Sequence, residues 1–189
     1  AWVIEEACRQ LAQWPRDIYL SLNVSPVQLL TVDILQQLTN SLDRNGLTPN
    51  RIEIELTETA IVENNRQIAN ILNKIRDLGV RVAMDDFGTG YSSLAHLREF
   101  KLDRIKIDRS FISVSMEDGG AAAVVRAVTG VARDLAIATT AEGVENEAQL
   151  ANLIELGCSA AQGFFLGKPL DSQAATKFLA QGAGEKATG

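Results

Sequence analysis

At 189 residues the chain can form one domain with a sizeable core, or most of a larger one. Its 46% hydrophobic and 22% charged residues are ordinary for a globular protein, and a net charge of -6 spread along the chain disfavours binding to duplex nucleic acid. The single histidine and two distant cysteines, Cys8 and Cys158, argue against a Ser-His-Asp triad, a zinc site or a disulfide framework, and they fit a reducing cytoplasm.

No apolar run approaches the roughly 18 residues of a membrane span, and no secretory leader pattern is present in this segment. Residues 1–14 read as a helix, with Val3, Ile4, Ala7, Leu11 and Trp14 near helical spacing. A strand over 17–24 leads to a helical segment over 25–46, opened by Ser25-Pro26 and stopped at Gly46. Within it, Val27, Leu29 and Leu30 are expected in the helix core. Then come strand 51–58, helix 65–79, strand 80–87 and a short helix 92–100, which carries His96 as a solvated surface residue. Strand 103–110 precedes helix 121–136; strand 136–143 precedes helix 146–157; strand 160–167 precedes helix 171–182. The domain is expected over 1–182, with a disordered tail at 183–189.

This alternation specifies a parallel α/β architecture. Six units suit an open doubly wound sheet or most of an eight-stranded barrel, and no GxGxxG follows the first strand. Side-chain parity favours the barrel. Ile18, Leu20, Leu22 and Val24 share one face, opposite Tyr19, Ser21 and Asn23. Ile52, Ile54 and Leu56 oppose Glu53, Glu55 and Thr57; Ile105 and Ile107 oppose Arg104, Lys106 and Asp108; Glu142 opposes Ile137, Thr139 and Ala141. Parallel strands are normally buried on both faces, so the polar face should line a lumen. Asn23, Glu55, Asp85, Lys106 and Glu142 should then converge at the C-terminal mouth. Burying four carboxylates against one lysine without a further cation is very costly. With one histidine available, any metal must take oxygen ligands, which points to magnesium or manganese. The adjacent Asp85 and Asp86 are tolerable together if such cations offset their repulsion.

Six strings occur in order: "LNVSP" (22–26), "ELTE" (55–58), "DDFGTGYSSL" (85–94), "KIDRSF" (106–111), "AEGVE" (141–145) and "QGFFLGKPL" (162–170). Together they resemble the EAL family of cyclic-di-GMP phosphodiesterases over about residues 1–170. The longest string is the most specific. The "DFG" inside it is a false lead to a kinase, because no Gly-rich loop with a strand lysine accompanies it. The resemblance implies a TIM-like (β/α)8 barrel, two Mg²⁺ or Mn²⁺ ions, and hydrolysis of cyclic-di-GMP to linear pGpG. It implies that Asn23 and Glu55 bind the first metal, that Asp85 bridges both, and that Asp86 helps to hold the second. It also implies that Lys106 orients the water or steadies phosphate charge, that Glu142 serves the second metal or acts as base, and that Gln162 supports the water or nearby ligands. By the same resemblance, Glu58 anchors the loop that follows Asp86, and that loop shapes the second metal site and a homodimer contact. The plainer reading of this glycine-rich stretch is a βα turn with Ser92 or Ser93 as helix cap.

The Glu-Ala-Leu string that names the family is absent from this chain, and Glu5 and Glu6 are no substitute because they lie on a helix. The expectation is a barrel without its first two strands, from a longer parent with upstream sensor or GGDEF domains. The other expectation is a short, catalytically inactive EAL domain that acts as a cyclic-di-GMP receptor or regulatory module.

Overall fold

Six parallel strands follow one another around a single curled sheet in sequence order, β1-β2-β3-β4-β5-β6. They are β1 Leu20–Asn23, β2 Ile52–Thr57, β3 Arg81–Phe87, β4 Arg104–Ile107, β5 Ala138–Glu142 and β6 Ala160–Gln162. The structure is a computed structural model and describes residues 2–58, 65–88, 100–113 and 119–181. The short helix expected at 92–100, with His96, and the tail at 183–189 lie outside these residues.

The helices are α1 Trp2–Leu11, α2 Pro26–Thr31, α3 Ile34–Asn45, α4 Asn65–Asp77, α5 Ser110–Ser113, α6 Gly119–Asp134, α7 Glu147–Glu155 and α8 Ser172–Ala180. The single helical segment expected over 25–46 is two helices, α2 and α3. Asp33 breaks it by capping α3, its carboxylate accepting the Gln36 N–H at 3.0 Å. Ser25 and Gln28 form a capping box at the start of α2, and Gly46 closes α3 in the left-handed conformation. Val27 lies on the outside of α2 at 66% exposure, so it is not core, whereas Leu29 is buried.

The apolar strand faces pack outward under the helices. Ile52, Ile54, Leu56, Val82, Met84, Ile105 and Ile107 share one core with Ile68, Leu72 and Ile75 of α4. Val125, Val128 and Ala132 of α6 extend it. Fully burying each such aliphatic side chain stabilises the fold by roughly 1.5–3 kcal/mol, which is what holds the polar strand faces turned inward. The last helix also meets the first segment, where the Trp14 indole N–H donates to the Thr176 hydroxyl at 2.9 Å. Among the described residues, no helix is long and apolar enough to cross a membrane.

Candidate active site and metal centre

The strand register sets out the inward residues before any side-chain contact is considered. Asn23 pairs with Glu55, Thr57 with Asp85, Lys106 with Thr140, and Glu142 with Gln162. Glu55 and Arg104 both pair with Ala83, whose small side chain leaves room for longer neighbours on each flank.

Lys106 is at the centre of the acidic residues. Its Nζ lies 2.7 Å from Glu142 Oε1, 2.9 Å from Glu55 Oε2 and 3.1 Å from Asp85 Oδ1. All four residues are largely buried, so screening by water is weak. Burial alone would make the Lys106 ammonium easier to deprotonate. The hydrogen bonds to Glu142 and Glu55 outweigh it and hold the group protonated above the ordinary lysine range.

Asp85 and Asp86 both reach this region, which strict alternation along a strand would prevent. The cause is a register shift in β3 between Met84 and Phe87, with Asp86 at φ +55. This left-handed residue is a bulge in which an Asp is among the better tolerated side chains. The Asp86 N–H donates to Asp85 Oδ1 at 3.0 Å, and carboxylate oxygens of Asp85, Asp86 and Glu142 lie within 4.8 Å of one another. Burial raises the Asp86 carboxyl above its usual range, and the charges of Asp85 and Asp108 push the same way against Lys106. Glu142 is also raised, first by burial and then by Asp85 and Glu55, with Lys106 opposing. Both carboxyls thus hold protons more readily than usual, even with Lys106 nearby. Three hard oxygen donors in this arrangement fit a divalent cation such as Mg²⁺ or Mn²⁺.

Beyond β3 the chain turns at Gly88, whose N–H donates to Glu58 Oε2 at 2.7 Å. Gly88 has φ +99, and a Cβ there would lie 2.6 Å from the Phe111 ring, so only glycine fits. Residues 89–99, including Ser92 and Ser93, lie outside the described residues. Asn23 stands beside Glu55 in the register and lines a cavity of about 270 Å³ with Trp2, Leu22, Val24, Gln28 and Val32. Gln162 stands beside Glu142 on the last strand. Glu5 accepts the Ser41 hydroxyl at 2.7 Å, and Glu6 is held down to about 2 by hydrogen bonds from Arg9 and Gln10. Both are thus occupied on α1, away from the lumen.

Sequence reasoning gave no role to four features of this region. Asp108, at the end of β4, acts electrostatically on Asp86; its position two residues after Lys106 was the available signal. Glu53 and Arg104 form a second ion pair inside the lumen at 3.2 Å, and Ala83, the register neighbour of Arg104, has a small side chain beside it.

A family model described as EAL domain matches residues 1–169. The chain belongs to the EAL domain family. It is 38% identical over 176 residues to the bifunctional diguanylate cyclase/cyclic di-GMP phosphodiesterase MucR of Pseudomonas aeruginosa, covering 91% of this chain and 26% of MucR. The solved MucR phosphodiesterase in complex with c-di-GMP aligns with a TM-score of 0.86, covering 91% of this chain and 71% of that one. The EAL domain of Mycobacterium smegmatis DcpA aligns at 36% identity and a TM-score of 0.89, over 96% of this chain and 83% of that one. A manganese/cy-diGMP complex of Klebsiella pneumoniae BlrP1 aligns at 33% identity and a TM-score of 0.79, over 85% and 41%. The EAL fold here is the TIM-like barrel architecture, represented by six consecutive strands. The chain spans about a fifth to two-fifths of the length of the curated relatives it matches.

Proposed function

We propose that this EAL domain hydrolyses one phosphodiester bond of cyclic-di-GMP to give linear pGpG, using two Mg²⁺ or Mn²⁺ ions. The observation that carries the reading is the convergence of Glu55, Asp85, Asp86 and Glu142 around one buried lysine, an acid excess that calls for cations. The family membership and the c-di-GMP and manganese complexes of its relatives support it. Bound there, divalent ions would supply Lewis acidity and offset the charge that develops on the phosphate.

In this reading Asn23, Glu55, Asp85, Asp86 and Glu142 would hold the ions, Asn23 and Glu55 serving the first and Asp86 and Glu142 the second, with Asp85 serving both. Water adds to phosphorus, the P–O3′ bond breaks, and the departing oxygen leaves as a 3′-hydroxyl. Lys106 steadies the phosphate charge or orients the water, and Gln162 supports the water from the neighbouring strand. Glu142, whose proton affinity is raised by burial, suits proton acceptance where it is not taken up as a ligand. Glu58 anchors the following loop through Gly88. The domain would work in the cytoplasm, as a homodimer, within a longer parent carrying sensor or GGDEF domains.

The test is cyclic-di-GMP turnover by the full chain with and without Mn²⁺. Glu142→Ala should abolish pGpG formation while the protein stays folded. Wild-type chain that binds Mn²⁺ and nucleotide without forming pGpG would sink the hydrolase reading. The second reading, an inactive cyclic-di-GMP receptor, is favoured by the absence of the Glu-Ala-Leu string from this chain.

A further inference from the structure

The three carboxylates that fit a divalent cation come from two strands that do not pair with each other. Asp85 and Asp86 lie near the end of β3, Glu142 ends β5, and β4 stands between them. The width of the cation gap is therefore a distance across β4. At the mouth that distance is occupied by the turn after β4, residues 108–111, which leads into α5.

The turn meets both flanking strands at a glycine. On the β3 side the Phe111 ring lies against Gly88, two residues after Asp86, where an added Cβ would come within 2.6 Å of it. On the β5 side Arg109 lies against Gly143, the residue after Glu142, where an added Cβ would come within 2.5 Å of Arg109 Cβ. Neither flank has room for a methyl group. The turn is itself braced: Asp108 Oδ1 accepts the Ser110 N–H at 2.9 Å, and the Asp108 carbonyl accepts the Phe111 N–H at 3.1 Å. Just before Gly88, buried Phe87 stands beside Ile107 in the register and ties β3 to the end of β4.

Gly143 is also at φ +73, so two separate reasons call for glycine. A side chain at 143 strains the backbone whatever lies beside it, whereas the collision is with Arg109 Cβ. The next atoms, Arg109 Cα and Cγ, would stand at 3.5 and 3.7 Å, which are ordinary contacts.

We propose that the 108–111 turn is the spacer that sets the cation gap, with Gly143 and Arg109 as positioning residues. The bare Cα at 143 lets Arg109 seat against the end of β5, and this holds Glu142 at its distance from Asp85 and Asp86. The inference rests on the metal-binding part of the proposed function. A Cβ at 143 would have to move away from Arg109 Cβ by about 1 Å to reach a normal carbon–carbon separation. Metal–oxygen distances tolerate only about 0.2 Å.

The experiment measures Mn²⁺ affinity of the full chain by calorimetry or spin resonance, with melting temperature and cyclic-di-GMP turnover recorded on the same samples. Gly143→Ala is made in three backgrounds: wild type, Arg109→Ala and Arg109→Gly. In the first two a Cβ remains at 109, and Gly143→Ala should weaken Mn²⁺ binding about tenfold or more, as when support for metal ligands is removed. In the Arg109→Gly background the obstacle is gone. The same substitution should then change affinity by no more than about twofold, the usual limit for sites that do not interact. Both replacements at 109 remove the guanidinium, so the difference between them reads the Cβ and not the charge. The strained φ should lower melting temperature in all three backgrounds. If Gly143→Ala is too unstable to titrate, Gly143→Asn, better tolerated at this φ, carries the same Cβ through the same series.

Equal weakening in all three backgrounds would assign the effect to backbone strain and overturn the inference, as would unchanged Mn²⁺ affinity in Gly143→Ala itself. Wild type that binds no Mn²⁺ overturns it together with the metal reading. Wild type that binds Mn²⁺ without turnover overturns only the hydrolase reading, and the three backgrounds still decide the role of the turn.

Discussion

The Asp86 amide donates to the carboxylate of its own neighbour, Asp85, at 3.0 Å, and it does so from a left-handed backbone at φ +55. That conformation costs roughly 1–2 kcal/mol for a residue with a Cβ. Asp86→Gly should therefore leave thermal stability unchanged or raised while weakening Mn²⁺ binding. Asp86→Val should lower both, because a branched side chain tolerates the bulge least. Melting curves with a parallel Mn²⁺ titration separate the two effects, and a Gly variant that is strongly destabilised would contradict the account.

Removing Lys106 leaves three buried carboxylates without their shared cation. In the presence of a chelator, Lys106→Met should lose about 3–5 kcal/mol of stability. Added Mn²⁺ should recover much of that loss, since an ion can replace the missing charge. Denaturant unfolding with and without metal checks this; equal losses in both conditions would count against Lys106 as the cation that balances the cluster.

The metal-free protein should become less stable as pH rises above the ordinary carboxylate range. Burial raises the folded-state proton affinity of Asp86 and Glu142 above their ordinary values of 3.8 and 4.5. The folded state then binds more protons than the unfolded one, so their contribution is fully present below those values and is lost as pH climbs through the raised ones. Mn²⁺ should flatten or reverse the slope by competing with protons. A pH series of melting temperatures tests it, and Asp86→Asn combined with Glu142→Gln should remove the slope.

Far from the lumen, Ala136 follows α6 in the left-handed region at φ +56. Its N–H reaches the Arg133 carbonyl at 3.0 Å, and the Ile137 N–H reaches the Ala132 carbonyl at 2.8 Å. This is a helix end that glycine fits best. Ala136→Gly should raise stability by about 1 kcal/mol, measured by denaturant midpoint, with turnover unchanged. The opposite substitution at Gly163 should be severe, because a Cβ there would collide with the Val144 backbone next to Gln162.

Much of the architecture was legible because each strand's apolar parity and each helix's spacing agreed, as Ile52, Ile54 and Leu56 show against Glu53 and Glu55. The region of the site was legible for the same reason: Lys106, Glu55, Asp85 and Glu142 share the inward parity. The bulge at Asp86 was not, since a residue that departs from alternation leaves no mark in a pattern read by alternation. Nor was the pairing of Glu53 with Arg104 rather than Glu53 with another cation, which depends on how far neighbouring strands are staggered. The break between α2 and α3 was hidden because apolar spacing continues through Val32 and Ile34, and only Asp33 as a cap marks it.

The contacts of Lys106 also bear on how the cluster would meet its ions. A tethered ammonium already neutralises part of the acid excess at contact distance, so the carboxylates need not be brought together from repelling positions when a cation arrives. Loading would then be an exchange of partners on a standing framework rather than an act of assembly, and it would free the lysine to turn toward an incoming anion.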